Sequence, residues 1–308
     1  MTDRLRLGTR GSALAVAQSG LVARALEAAE RGLEVELVTI TTSGDERPGR
    51  TQPQAGPDDK SRFVKEIEEA LLAGDIDLAV HSAKDVPGAL LDGLSIVGVP
   101  ERADPRDAIC GADSLDALPE RASVGTSSLR RRAQLLALRP DLRVEELRGN
   151  VDTRLRKLAE GEHDAVVLAR AGLLRLGRDE GVPIDAGALT PAPGQGCLAL
   201  EAREGDERAA ELAARLTDRD ALTRLTAERA VVMALDATCH TPVGALAEIE
   251  GEQLRLSAFV GLPDGSTWIR DEHTGPAAEP AEVGLAVASR LLSAGAADVL
   301  ARAEAATA

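Results

Sequence analysis

The chain is almost without aromatic residues: Phe63, Phe259 and Trp268 are the only ones in 308 residues, and tyrosine does not occur. Rings therefore cannot fill the core, and Leu, Val, Ile and Ala must supply its volume. Lysine is nearly as scarce, with only Lys60, Lys65, Lys84 and Lys157 among the 36 basic residues. Cysteine is limited to Cys110, Cys197 and Cys239. That odd, widely spaced set forms neither a metal-ligand pattern nor a disulfide framework, and it fits a reducing cytoplasm. No run of about 18 apolar residues occurs, so no segment is expected to span a membrane. The opening MTDRLRLGTR enters a strand-like pattern directly, without the apolar stretch of a secretory signal. Net charge is −15, which argues against nucleic acid or an anionic membrane as a partner.

What is present is an ordinary globular composition, 44% hydrophobic and 28% charged, in a chain long enough for two or three domains. The first ninety-odd residues read as βαβ units. Strands are expected at Leu5–Gly8, Val35–Ile40 and Ile76–Val80, and helices at Ala13–Ala29 and Arg62–Leu72. A Gly/Pro/Asp-rich loop separates the second strand from the second helix. A second block carries strands ending at Val124, at Val144–Leu147 and at Ala165–Ala169, with helices at Leu129–Leu138 and Val151–Ala159. Strand–helix alternation of this kind predicts a parallel sheet covered on both faces. After residue 192 a further strand, Cys197–Glu201, and a helix could complete the first block. From about residue 219 a small α+β segment follows, with strands Leu254–Val260 and Thr267–Arg270 and a closing helix Ala281–Leu292.

Ligands in open α/β sheets bind beyond the carboxyl ends of the strands. Three such ends carry polar turns: Thr9–Ser12, His81–Pro87 and Gly125–Arg131. The last joins a helix N-terminus, which attracts anions, to paired guanidiniums. Arg148, Arg154 and Arg175 recur at the next junctions. Between Arg121 and Lys157 ten basic residues stand against four acidic ones, inside an acidic chain. Guanidinium forks bind carboxylates in bidentate fashion, so an arginine-lined cleft for a polycarboxylate is the expected site. Asp85 reads equally well as a salt-bridge partner of Lys84 or as a carboxylate that stabilises positive charge and moves a proton. Cys239, beside His240, reads as a small buried hydrophobe or as a thiolate nucleophile.

In sum these segments resemble the porphobilinogen deaminase (hydroxymethylbilane synthase) family. The matching stretches are TRGSALAVAQ (9–18), FVKEIEEALL (63–72), DLAVHSAKDVP (77–87), ERADPRDA (101–108), VGTSSLRR (124–131), LRGNVDTRL (147–155), ARAGLLRLG (169–177), PGQG (193–196) and CHTPVGA (239–245). The resemblance implies an α/β fold of two periplasmic-binding-protein-like (type II) lobes, with the active cleft between them, plus a small α+β C-terminal domain. The corresponding boundaries are 1–98 with 197–217, 103–192, and 219–308.

The family's chemistry implies a dipyrromethane cofactor held through a thioether on Cys239. Four porphobilinogen molecules are added with loss of ammonia, and hydroxymethylbilane is released by hydrolysis. By the same matching Asp85 is catalytic, and Lys84, Ser128, Arg130, Arg131, Arg154 and Gln195 bind the cofactor. Arg10, Ser12, Gln18, Lys60, Phe63, Arg148 and Arg175 bind substrate. A cytoplasmic monomer is implied, with hand-off of product to uroporphyrinogen-III synthase as a partner step. Two features depart from the family. DDKSRFVKE stands where a glycine-rich GGKGLFVKE is common, and Ala237-Thr238 stands where Gly-Gly often precedes the cysteine. Two rivals remain at this stage: a two-lobed binding protein without catalysis, and a cysteine hydrolase using Cys239 and His240.

Overall fold

The structure, a computed structural model, describes residues 3–41, 61–238 and 241–306, apart from the side chains of residues 61–63. The chain begins with strand β1 (Asp3–Arg10), helix α1 (Ala13–Ala29), β2 (Leu33–Ile40), α2 (Ser61–Ala73) and β3 (Leu78–Ser82). A single 3-10 turn, Ala83–Asp85, leads towards β4 (Leu94–Gly98). Next come β5 (Asp107–Cys110), β6 (Ser123–Gly125), α3 (Leu129–Leu138), β7 (Arg143–Glu145), α4 (Val151–Ala159), β8 (Ala165–Ala169), α5 (Arg170–Arg175) and β9 (Val182–Pro183). Then follow β10 (Leu198–Arg203), α6 (Glu207–Leu216), α7 (Arg219–Ala234), β11 (Val243–Glu250), β12 (Gln253–Gly261), β13 (Trp268–Pro276), α8 (Pro280–Ser293) and α9 (Ala296–Ala305).

Two compact units result, Met1–Ala103 with Cys197–Leu222, and Asp104–Gly196 with Thr223–Ala308. The first unit holds one five-stranded sheet, β2-β1-β3-β10-β4, in which β10 alone runs antiparallel to its neighbours. The second unit holds a sheet of the same plan, β7-β6-β8-β5-β9, with β5 as the antiparallel strand. Both are mixed sheets, not the purely parallel ones that strand–helix alternation suggests. The reason is that β5 and β10 each follow a point where the chain passes from one unit to the other, and each inserts beside the third parallel strand.

Alternation along the strands divides each sheet's apolar residues between two helical layers. In the first unit Leu78, Val80, Leu198 and Leu200 face the layer with α1 and α6, while Ala79 faces Ile67 and Leu71 of α2. In the second, Ile109, Val124, Ala165 and Val167 pack with Leu135 of α3, and Ala108, Cys110, Val166 and Leu168 pack with Leu173. Helix starts follow from side-chain capping: Ser12 for α1, Ser128 for α3, Asn150 for α4 and Asp206 for α6. Helix α4 also carries Asp152 in its first turn and Arg156 and Lys157 in its last, matching the helix dipole.

The C-terminal segment is a three-stranded antiparallel meander, β11-β12-β13. Its first hairpin pairs Glu250 with Gln253, leaving a two-residue turn whose first residue, Gly251, takes φ 62°, as a primed turn requires. Helices α7, α8 and α9 cover one face with Ala227, Val231, Val287, Leu291 and Leu300 over Leu254, Leu256 and Val260. Among the described residues no single helix is long and apolar enough to cross a membrane; α8 and α9, bent by 75°, reach that composition only as a pair. Their apolar faces are spent on the meander.

Candidate active site

In the first unit β1 and β3 are parallel neighbours, so the residues beyond their carboxyl ends emerge at one edge of the sheet. Those residues are Arg10–Ser12 and the turn Ala83–Asp85. Ser12 caps α1, its hydroxyl accepting from Ala15 N–H at 3.3 Å. Gln18 on α1 is buried and brackets the Ser82 hydroxyl, its amide nitrogen at 3.1 Å and its amide oxygen at 3.2 Å. The turn itself is fixed by Ala83 N–H donating to Cys197 O at 3.1 Å and Val86 N–H donating to Ala83 O at 3.2 Å. Lys84 and Asp85 are thereby held, half-buried, on a backbone tied to the adjacent strand.

In the second unit β7, β6 and β8 run parallel, and the N-termini of α3 and α4 open at their carboxyl edge. Thr126 Oγ1 accepts from Ser128 N–H at 3.2 Å, and Ser128 Oγ accepts from Arg131 N–H at 3.4 Å. Arg130 and Arg131 are buried, and both turn to the fully buried carboxylate of Asp107. Arg130 Nη1 meets Asp107 Oδ2 at 2.8 Å and Thr190 O at 2.6 Å. Arg131 meets Asp107 Oδ1 through Nε at 3.0 Å and Nη2 at 2.7 Å, and its Nη1 donates to Val167 O at 2.9 Å. Gln195 Nε2 donates to the same Oδ1 at 2.9 Å and to Pro105 O at 2.7 Å. Burial pushes the Asp107 carboxyl up, but the charges and hydrogen bonds of the two arginines outweigh it and hold it well below the usual carboxylate range.

Arg154 is placed differently. Its Nε donates to Gly149 O at 2.8 Å and its Nη2 to Ser127 Oγ at 3.2 Å, so it stands beside the start of α3 without a carboxylate partner among the described residues. Burial, with the neighbouring charge of Arg131, pulls its pKa down to about 10. A guanidinium that is both partly desolvated and repelled by a second one attracts an anion strongly.

The structure thus brings Arg130, Arg131 and Gln195 onto one carboxylate, links Ser128 to them through its cap, and joins Arg154 through Ser127. Arg148 instead reaches solvent, paired with Glu146 at 2.6 Å, and Arg175 Nη2 donates to Gly196 O at 2.6 Å. Lys60, Cys239 and the Phe63 side chain lie outside the described residues. On either side of Cys239 and His240, Thr238 N–H donates to Thr241 Oγ1 at 2.6 Å, and the two hydroxyls lie 3.1 Å apart. Sequence reasoning missed Asp107 as the organiser of the arginine pair. The available signal was an acid opening the otherwise apolar four-residue strand Asp107–Cys110.

A family model described as "Porphobilinogen deaminase, dipyromethane cofactor binding domain" matches residues 5–211, and one described as "Porphobilinogen deaminase, C-terminal domain" matches residues 222–293. The porphobilinogen deaminase of Roseiflexus castenholzii is 49% identical over 299 residues, covering 96% of this chain and 98% of that protein. That of Rubrobacter xylanophilus is 50% identical over 305 residues, with 97% of each chain covered. That of Thermus thermophilus is 48% identical over 301 residues, covering 96% of this chain and 98% of its own.

Proposed function

Because the chain belongs to the porphobilinogen deaminase family, we propose that it is a hydroxymethylbilane synthase, a transferase acting on porphobilinogen in tetrapyrrole and haem biosynthesis. The reaction condenses four porphobilinogen molecules, with loss of ammonia at each step, onto a dipyrromethane attached to Cys239. Hydrolysis then releases hydroxymethylbilane. The observation that carries this reading is Arg154, a partly desolvated guanidinium without a carboxylate partner among the described residues, beside Arg131 and the hydroxyls that open α3.

That arrangement fits a dipyrromethane, whose rings bear acetate and propionate groups. Arg154 and the α3 N-terminus would take its carboxylates, with Ser128, Arg130, Arg131 and Gln195 beside them, and Lys84 is assigned to cofactor binding by its match to the family. When bound, the group supplies the nucleophilic pyrrole carbon to which substrate is joined. Arg10, Ser12 and Arg175 serve the acetate and propionate of incoming porphobilinogen. For Arg148 the same role requires exchange of Glu146 for the ligand, a low cost for an exposed pair. Asp85 carries the chemistry. Its carboxylate accepts a pyrrole N–H and stabilises the positive charge that grows on the substrate ring as ammonia departs. An aspartate suits this because a carboxylate oxygen can both accept a pyrrole N–H and offset the positive charge beside it. The buried thiol of Cys110, outside any disulfide, supports a reducing cytoplasm as the place of action.

Arg154→Met tests the assignment. Losing a charge-assisted bond to a carboxylate, worth about 1.5–3 kcal/mol, lowers cofactor loading or raises KM for porphobilinogen by roughly 10–100-fold. Intact mass and initial rates read these directly, and unchanged loading with an unchanged KM refutes the role of Arg154.

A further inference from the structure

One face of the first unit's sheet holds a group that the reaction as described does not use. His81, Glu201 and Glu68 lie in the layer between the sheet and α2, which otherwise contains Ile67, Leu71, Ile76, Ala79 and Leu94. His81 Nε2 is 2.9 Å from Glu201 Oε2, a close contact without hydrogen-bond geometry, and the two side chains are 4% and 1% exposed. Glu68 projects from α2 at 4% exposure, and its Oε1 makes no hydrogen bond. Burial, and then the charge of Glu201, push the Glu68 carboxyl up.

Such a group is a poor way to stabilise a core. A buried ion pair is commonly no better than apolar residues of the same volume, and its best-attested use is to fix register. The topology gives it that use here. Strands β3 and β10 are antiparallel, with Ala199 opposite His81 and Glu201 opposite Ala79, so His81 and Glu201 meet diagonally on one face. A slip of either strand by one residue would turn its member of the pair into the apolar layer of Val80, Leu198 and Leu200 on the other face. His81 is also the penultimate residue of β3, and the turn Ala83–Asp85 starts two residues later.

The geometry points to His81, held by Glu201, as a positioning residue for the reaction: the pair pins the end of β3 against β10 so that the following turn presents Lys84 and Asp85 at a fixed place. This rests on the assignment of Asp85 made above. Its effect is on kcat, because a reacting carboxylate displaced by about 1 Å can cost on the order of 100-fold while substrate binding elsewhere is unaffected.

The test uses purified holoenzyme of His81→Asn, Glu201→Gln and the double variant, with Asp85→Asn alongside. Cofactor loading is read by intact mass, and kcat and KM by initial rates. Each single variant is expected to lose roughly 10–100-fold in kcat, with KM and loading within about twofold of the parent. The double variant is expected to be no worse than either single one, since the pair acts as a unit. A lowered Tm with full kcat in the loaded fraction would overturn the inference and leave the pair a stabilising contact only. Should those variants fail to fold, Glu201→Asp keeps the carboxyl group and shortens the reach by one methylene. Its kcat is then expected to fall, and parental kcat overturns the inference. Normal turnover by Asp85→Asn would sink the underlying assignment. An inactive Asp85→Asn together with fully active His81→Asn and Glu201→Gln sinks only the positioning role.

Discussion

Asp107→Asn is the perturbation whose cost the structure defines best. Asp107 is fully buried, and its one carboxylate neutralises two guanidiniums that are themselves 4% and 5% exposed. Three hydrogen bonds, from Arg131 Nε, Arg131 Nη2 and Gln195 Nε2, converge on Oδ1, while Arg130 Nη1 meets Oδ2. An asparagine keeps its oxygen where three donors point and turns its NH2 towards Arg130. That leaves a donor facing a donor, and two cations without a countercharge. Removing one partner of a buried pair costs about 3–5 kcal/mol, and the retained Oδ1 bonds place the variant near about 3 kcal/mol. At roughly 2–4 °C per kcal/mol for domains of about 150–250 residues, Tm falls by about 6–12 °C. The sign of the pH dependence follows from the depressed carboxyl. Its contribution is present above the unfolded-state value and lost as pH falls through the folded one, so the gap stays flat from about pH 5 to 9 and closes only in stronger acid. Thermal unfolding followed by circular dichroism across that range is the assay. A fall of less than about 2 °C, or a gap that narrows between about pH 5 and 7, refutes the reasoning.

Asp85→Asn should nearly abolish turnover while leaving the cofactor adduct in place, because the amide cannot neutralise the charge that grows as ammonia leaves; rates close to the parent would end the assignment. Glu68 provides a pH test of opposite sign to Asp107. Its carboxyl is raised in the folded chain, so its contribution is intact at low pH and is lost as pH rises from the usual carboxylate range through the raised value. Glu68→Gln removes that loss, so the Tm of the variant should gain on the parent as pH rises, and parallel Tm–pH curves would contradict it.

Much of the fold was legible because its signals are local. Ala13–Ala29, Leu129–Leu138, Val151–Ala159 and Ala165–Ala169 are found at the expected bounds, since caps and turns mark both ends. Strand β3 is found two residues later than the expected Ile76–Val80, because Ile76 is buried before ladder pairing begins. Strands β4, β5, β9 and β11 were not expected at all. β5 has only four residues, too few for alternation to show, and its place between β8 and β9 is set by pairing with residues more than fifty positions away. The alanine-rich C-terminal segment forms α9, because Val299, Leu300 and Ala303 have a meander to pack on.

The site was legible as a set of residue types at strand ends, and less so as a division of labour. Sequence spacing put Arg130, Arg131 and Arg154 together as equivalent anion binders. Only three-dimensional placement shows that the first two share Asp107 while Arg154 faces no acid among the described residues. Likewise His81 was one letter of a strand-end motif until β10 brought Glu201 against it.

The central claim is that this chain builds and keeps a dipyrromethane on Cys239 and extends it at Asp85. Intact mass of the protein purified from cells able to make porphobilinogen tests it most directly. The account predicts added mass equal to two porphobilinogen units less two ammonia molecules, absent in Cys239→Ser and retained in Asp85→Asn. An unmodified mass for the parent chain would contradict it.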